Sequence, residues 1–206
     1  MNNKYEISEI AHPKYPWLHR IRALSDVRPG VQKGDLGGYV QGEENLSQEG
    51  TCWIFDNAIA CENCFVNQQA TLSGSAVSCG SALISGGAMI RDHAVIDDNA
   101  IVTAGFIREY AHIAGDSKIT ANKATGAWPH IEGHANVYGD LCGAMYVKGE
   151  AVILPGTNID NPTPDFFEIT RNKVAVERSY KRLHGIPRNP NKKTQAKQQK
   201  CSGVER

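Results

Sequence analysis

The residues best suited to proton transfer in this chain are four histidines, His93, His112, His130 and His134. A histidine that activates a hydroxyl or an amine must lie within hydrogen-bond reach of it, and commonly needs a carboxylate to orient its ring. Asp92 and Asp116 are at hand for that purpose, neither at a distinctive spacing. The six cysteines, Cys52, Cys61, Cys64, Cys79, Cys142 and Cys201, offer a second chemistry. Cys61-x-x-Cys64 has the spacing of half a zinc site, and Cys79 stands further along the same stretch. A tetrahedral site needs four converging ligands, so no metal is expected, and the cysteines read as free thiols packed as small residues. The opening, MNNKYEISEIAHPKYP, has neither a basic nor an apolar signal region, so a disulfide framework is not expected and the reading is cytoplasmic. No run approaches the roughly 18 to 20 apolar residues that span a bilayer, so no membrane partner is expected.

What must position these residues is a repeat. A small residue recurs every six positions from Ala58: Cys64, Ala70, Ala76, Ala82, Ala88, Ala94 and Ala100, with Phe106 closing the run. Two positions after each stands Ala60, Val66, Leu72, Ser78, Ile84, Ile90, Ile96 or Val102, seven of the eight apolar. Small, variable, aliphatic is strand alternation, which turns the first and third residues to one face. The rest of each unit is rich in turn formers, as in Ser73-Gly74-Ser75 and Asp97-Asp98-Asn99. A period of six does not match 3.6, and the Gly and Asx clusters would break a helix at every unit. The pattern predicts an all-β parallel β-helix: three units make one triangular coil, and coils stack at the strand spacing of about 4.8 Å. Cys61 and Cys79 then fall one coil apart. In that register His112 and His130, each following an inward position and one full coil apart, stack on one outer face.

The register slips after Phe106, where Ala111 follows by five, and again around Ala127-Trp128-Pro129. Such slips read as bulges or loops on a continuing solenoid. Four segments follow: an N-terminal cap over 1–37, a β-helix of about six to seven coils over 38–159, an extension over 160–184 and a basic tail over 185–206. Leu18–Leu24 and Gly38–Val40 read as short strands, and Cys52–Phe55 as the first strand of the solenoid. Arg171–Leu183 reads as a short helix with Val174, Tyr180 and Leu183 near one face. Disorder is expected beyond Gly185.

The middle residue of each unit should point outward, yet it is apolar at Ile59, Phe65, Val77, Leu83, Met89, Val95 and Ile101. Stacking coil upon coil gives one column of Ile59, Val77 and Val95 and a second of Phe65, Leu83 and Ile101. Apolar columns of this kind mark an association surface, and packing of three copies about a symmetry axis makes them an oligomer interface. Charge is divided as well. Residues 1–170 carry 11 basic and 20 acidic residues, and 171–206 carry 11 basic and 2 acidic, so formal charges of −9 and +9 give a net of zero. The basic tail can meet nucleic acid or another acidic partner through charge alone, or serve as a solubilising tail.

The six-residue unit resembles the hexapeptide repeat of left-handed β-helix proteins, the group that includes many acyltransferases and the γ-class carbonic anhydrases. The segment GDLGGYVQGEENLSQEGTCWIFDNA, residues 34–58, resembles more narrowly the YdcK-like branch with its short phage and prophage relatives. The left hand comes from this resemblance, since crossover rules for parallel strands favour the right. It leaves two functions open. One is a non-catalytic trimeric scaffold or macromolecule-binding accessory protein, phage- or prophage-encoded, without a cofactor and facing a host or viral macromolecule. The other is an acyltransferase that takes acyl-CoA into a groove between protomers, with His112 or His130 as base. The carbonic anhydrase chemistry would need His93, His130 and His134 on one shared metal, and the Arg, Asp and Gln context of that family is missing.

Overall fold

The computed structural model describes residues 4–177. It is an all-β parallel solenoid of about seven coils. From Ile59 to Val102 a two-residue strand starts every six residues and each corner between is a turn. Three flat faces result. The first carries Ile59–Ala60, Val77–Ser78, Val95–Ile96, His112–Ile113, Asn136–Val137 and Val152–Ile153, paired in that order. The second runs from Phe65–Val66 through Leu83–Ile84, Ile101–Val102, Lys118–Thr120 and Asp140–Gly143 to Asn158–Asn161. The third runs from Trp53–Ile54 through Thr71–Leu72, Met89–Ile90, Phe106–Ile107, Pro129–Ile131 and Met145–Val147 to Phe166–Thr170.

The interior is a dry prism. Ala58, Cys64, Ala70, Ala76, Ala88, Ala94 and Ala100 line its corners, and Val66, Leu72, Ile84, Ile90, Ile96 and Val102 its walls, all fully buried. Only a small side chain fits where two walls converge, which is why alanine recurs there. Coils are joined by backbone bonds such as Ile59 N–H to Ala76 O at 2.9 Å and Val77 N–H to Ala94 O at 3.0 Å. The outward residues stand as a coil of three units requires, with Ile59 beside Val77 and Val77 beside Val95, and Phe65 beside Leu83 and Leu83 beside Ile101.

The N-terminal segment is an antiparallel meander of β1 (Tyr5–Ala11), β2 (His19–Ala23) and β3 (Leu36–Val40). β3 pairs in parallel with Ile59–Ala60, so the meander extends the first face. The Tyr5 hydroxyl donates to Leu46 O at 2.7 Å inside this cap.

Two sequence expectations are corrected. Phe106 does not take an inward corner: it pairs with Met89, Ile107 behind it is fully buried, and Gly105 (φ 146°) occupies the corner. The residue is lost before Phe106, not after it, so the coil that joins Val95 to its partner His112 is one residue short. The helix expected over 171–183 is absent from its described part. Lys173–Glu177 is a strand, paired antiparallel with Phe166–Thr170 through the short Arg171-Asn172 link. Alternation of Val174 and Val176, both exposed, is the period of a strand. The remainder of that helix and the basic tail lie outside the described residues. A 3-10 turn, Glu43–Asn45, is the one helical element among the described residues, and no helix there is long and apolar enough to cross a membrane.

Candidate functional site

On the first face the outward column Ile59, Val77, Val95 runs directly into His112 and Asn136. Ile113 is fully buried, so strand alternation turns His112 outward. Its Nε2 lies 3.1 Å from Oδ1 of Asp97, which stands at the corner one coil earlier, and both side chains are half-buried. An imidazole that donates Nε2–H to a carboxylate keeps its lone pair on Nδ1. That leaves a base whose tautomer and orientation are set by Asp97. The ring of Tyr138 meets His112 edge-on at 6.1 Å. Tyr138 also lines a cavity of about 410 Å³ at the adjoining corner, together with Gly115, Asp116, Asp140, Thr157 and Asn158.

Neither carboxylate named from the sequence is the partner of His112. Asp92 accepts the backbone N–H of Glu109 at 3.1 Å, and Asp116 accepts from the Asn99 amide at 3.0 Å. Sequence reasoning misses both Asp97 and Tyr138. The signal for Asp97 is the shortened coil: once His112 is paired with Val95, the residue two beyond Val95 flanks the ring.

His130 stands elsewhere. It pairs with Phe106 and Tyr146 on the third face, so the two histidines do not share an outer face. The extra loop over 121–127 displaces the count between them. Asn122 staples that loop by accepting from the Ala124 and Thr125 N–H groups at 2.9 and 3.1 Å. His130 belongs to an aromatic column, with Phe106 at 5.9 Å, Tyr146 at 5.0 Å and Phe166 at 6.1 Å between ring centroids. Burial lowers its pKa from the ordinary imidazole value; Glu132 pulls it back up and Arg108 adds to the lowering. Burial among the rings thus favours the neutral imidazole. Arg108 itself is engaged by Glu132 at 2.9 Å through Nε.

His93 and His134 flank Tyr110 as a stack of nearly parallel rings, each 4.9 Å from it, at the corner between the third and first faces. A tyrosine separates them, so they do not converge on one ion. Among the described residues no three His, Cys, Asp or Glu side chains are gathered to hold a metal. The five described cysteines are free. Burial pushes the thiols of Cys64 and Cys79 up to about 12, and raises that of Cys61 as well. Protonated thiols are poor nucleophiles and poor ligands.

Of the histidines in the described chain, His112 has the base and orienting-acid geometry on an accessible face. No protein-family model matches the chain. The chain is similar to a protein of Escherichia coli (strain K12) that bears the name uncharacterized acetyltransferase YdcK, at 35% identity over 74 residues. That match takes in 35% of this chain and 22% of the length of that protein. Together with the parallel solenoid, the likeness fits a hexapeptide-repeat, transferase-like family.

Proposed function

We propose that the protein is an acyl-CoA-dependent acyltransferase that works as a homotrimer, with His112 as general base. The observation that carries this reading is the His112–Asp97 contact at 3.1 Å beside the cavity bordered by Tyr138. His112 Nδ1 takes a proton from the hydroxyl or amine of the acceptor as its oxygen or nitrogen attacks the thioester carbonyl. The carbon–sulfur bond then breaks, and the leaving thiolate recovers the proton from the imidazolium. Asp97 stabilises the imidazolium between the two steps, the role of the orienting acid in base-assisted acyl transfer. The named activity of the relative supports the same reaction class.

The test is thiol release from acetyl-CoA in the presence of a panel of sugar hydroxyl and amine acceptors. His112→Ala should abolish turnover, and Asp97→Asn should lower kcat more than it raises KM. CoA should raise the melting temperature, because a ligand selective for the native state stabilises it. No shift at millimolar CoA and no turnover with any acceptor would refute the enzyme.

A second reading, a non-catalytic trimeric scaffold that binds a host or viral macromolecule, is favoured by the outward apolar columns, which need no chemistry to be useful. It keeps the trimer and predicts a stoichiometric partner in pull-downs from infected or lysogenic cells, with no response to CoA.

A further inference from the structure

The N-terminal cap buries a lysine against a cysteine. Lys4 is only 6% exposed, and its Nζ lies 3.1 Å from the Cys52 sulfur, 3.1 Å from Cys52 O and 3.3 Å from Glu49 O. The described partners of this amine are thus two carbonyls, a sulfur and the Tyr5 ring, whose centroid lies 6.0 Å away. Its position is fixed from both sides. Gln48 Oε1 accepts the backbone N–H groups of Lys4 and Tyr5, each at 3.3 Å, and Gln48 Nε2 donates to Tyr5 O at 3.1 Å. Cys52 is fully buried in the first coil. A cavity of about 230 Å³, lined by Lys4, Ser25, Asp26, Val27, Gln48 and Gly50, reaches the lysine from outside. It is large enough for a peroxide molecule, which from there has only the Lys4 side chain between it and the sulfur.

We propose that Lys4 and Cys52 form an oxidation-dependent covalent crosslink, a sulfenamide between Nζ and Sγ that ties the N-terminal cap to the first coil. A peroxide first oxidises the thiol by two electrons: the O–O bond breaks, sulfur gains one hydroxyl to become a sulfenic acid, and one water leaves. Sulfenic acids condense with nitrogen nucleophiles held against them. The ammonium first gives one proton to solvent; the freed Nζ lone pair attacks sulfur, the S–O bond breaks, and the departing hydroxide takes a second proton from nitrogen and leaves as a second water. The nitrogen is already in contact with the sulfur, held there by Cys52 O and Glu49 O, while Gln48 holds the backbone of Lys4 and Tyr5. Cys52 is fully buried with the amine against it, so the sulfenic acid meets the amine before it meets a second cysteine. The closed loop spans residues 4–52 and removes conformational entropy from the unfolded chain, as a disulfide does. This inference is independent of acyl transfer.

The experiment treats the folded full-length chain with millimolar hydrogen peroxide, blocks remaining thiols, and maps peptides by mass spectrometry. The expected product is a linked peptide pair joining Lys4 to Cys52, lighter by about 2 Da than the sum of its parts. It should vanish on reduction with dithiothreitol, together with a rise in melting temperature seen after oxidation. Lys4→Arg keeps the charge but lacks the primary amine, and should give sulfenic or sulfinic acid at Cys52 without the link. Wild-type protein oxidised in urea serves where that variant folds poorly, and should also give no link. Recovery of an unmodified Lys4 beside an oxidised or untouched Cys52 in the native wild type would overturn the proposal, as would equal linking in urea.

Discussion

The Asp56 carboxylate accepts the backbone N–H of Gly74, one coil further along the solenoid, at 2.9 Å. Asp56 has φ 54°, and among the described residues the other non-glycine positions with positive φ are Glu62, Gln68, Asp92, Asp98 and Glu109. Each carries a side-chain oxygen, and each uses it in the same way, on the N–H of Gly80, Gly86, Glu109, Gly115 and Gly133 respectively. The left-handed conformation costs a residue with a Cβ of order 1 kcal/mol, and the hydrogen bond, accepted by a carboxylate at five positions and by the neutral Gln68 amide at the sixth, offsets it. The corners are thus clipped coil to coil.

This clip explains the glycines that receive it. At Gly80, with φ 65°, an added Cβ would lie 2.7 Å from the backbone N and O of Asp98 in the next coil. At Gly115, with φ 69°, it would meet nothing within 4 Å. Gly80→Ala should therefore cost about 2 to 3 kcal/mol and Gly115→Ala about 1 kcal/mol. Chemical denaturation of the two variants checks the order, and equal losses would mean that the corners yield more freely than this packing implies.

A buried defect gives the opposite sign. Ser117 is fully buried at an inward corner where other coils carry alanine, and its hydroxyl has no hydrogen-bond partner. An unsatisfied buried hydroxyl carries its whole desolvation cost. Ser117→Ala removes that cost without changing the volume of the corner much, and should stabilise the protein by about 1 kcal/mol. A lower midpoint in thermal or urea unfolding would contradict this.

How far the sequence reaches follows from how strictly each residue is constrained. Between Ala58 and Val102 every inward side chain has one place to go, and the sixfold count finds each of them. At Gly105 a single missing residue leaves the hydrophobic tally almost unchanged, because Phe106 is apolar whichever way it points, and the count therefore places the slip too late. The same slip hides the pairing of His112 with Asp97. Beyond Thr170 the chain leaves the parallel coils, and the pattern has no neighbouring repeat to enforce it. Val174 and Val176 are solvent-exposed, so hydrophobic spacing there says little about local structure. Roles for His112 and His130 are legible as residue types only, since the face on which each stands depends on the accumulated insertions between them.

His130 supplies a pH dependence. Burial lowers its pKa below the ordinary 6.5 of an imidazole, so the unfolded chain binds the proton more readily than the folded one. Its contribution is fully present above the unfolded pKa and is lost as pH falls from 6.5 toward the lower folded value. His130→Phe keeps a ring between Phe106 and Tyr146 and removes the titration. The variant should show a smaller drop in melting temperature between about pH 8 and about pH 5 than the wild type, and an unchanged drop would assign the acid sensitivity to other groups.

Val77 decides between a free surface and an interface. It stands outward and half-buried, between Ile59 and Val95 in the column that leads to His112. A second copy seated on Ile59, Val77 and Val95 would lie against the residue that neighbours His112, so assembly and the base are joined on one face. Val77→Glu places a charge where such a contact would desolvate it, at a cost of several kcal/mol in the assembly. In the isolated coil the same side chain points to water and should change stability little. Light scattering should then fall from the mass of a trimer to that of a monomer with the solenoid intact by circular dichroism, and acyl transfer should fall with it if a neighbouring copy completes the site. A wild type already monomeric in solution would remove the interface altogether.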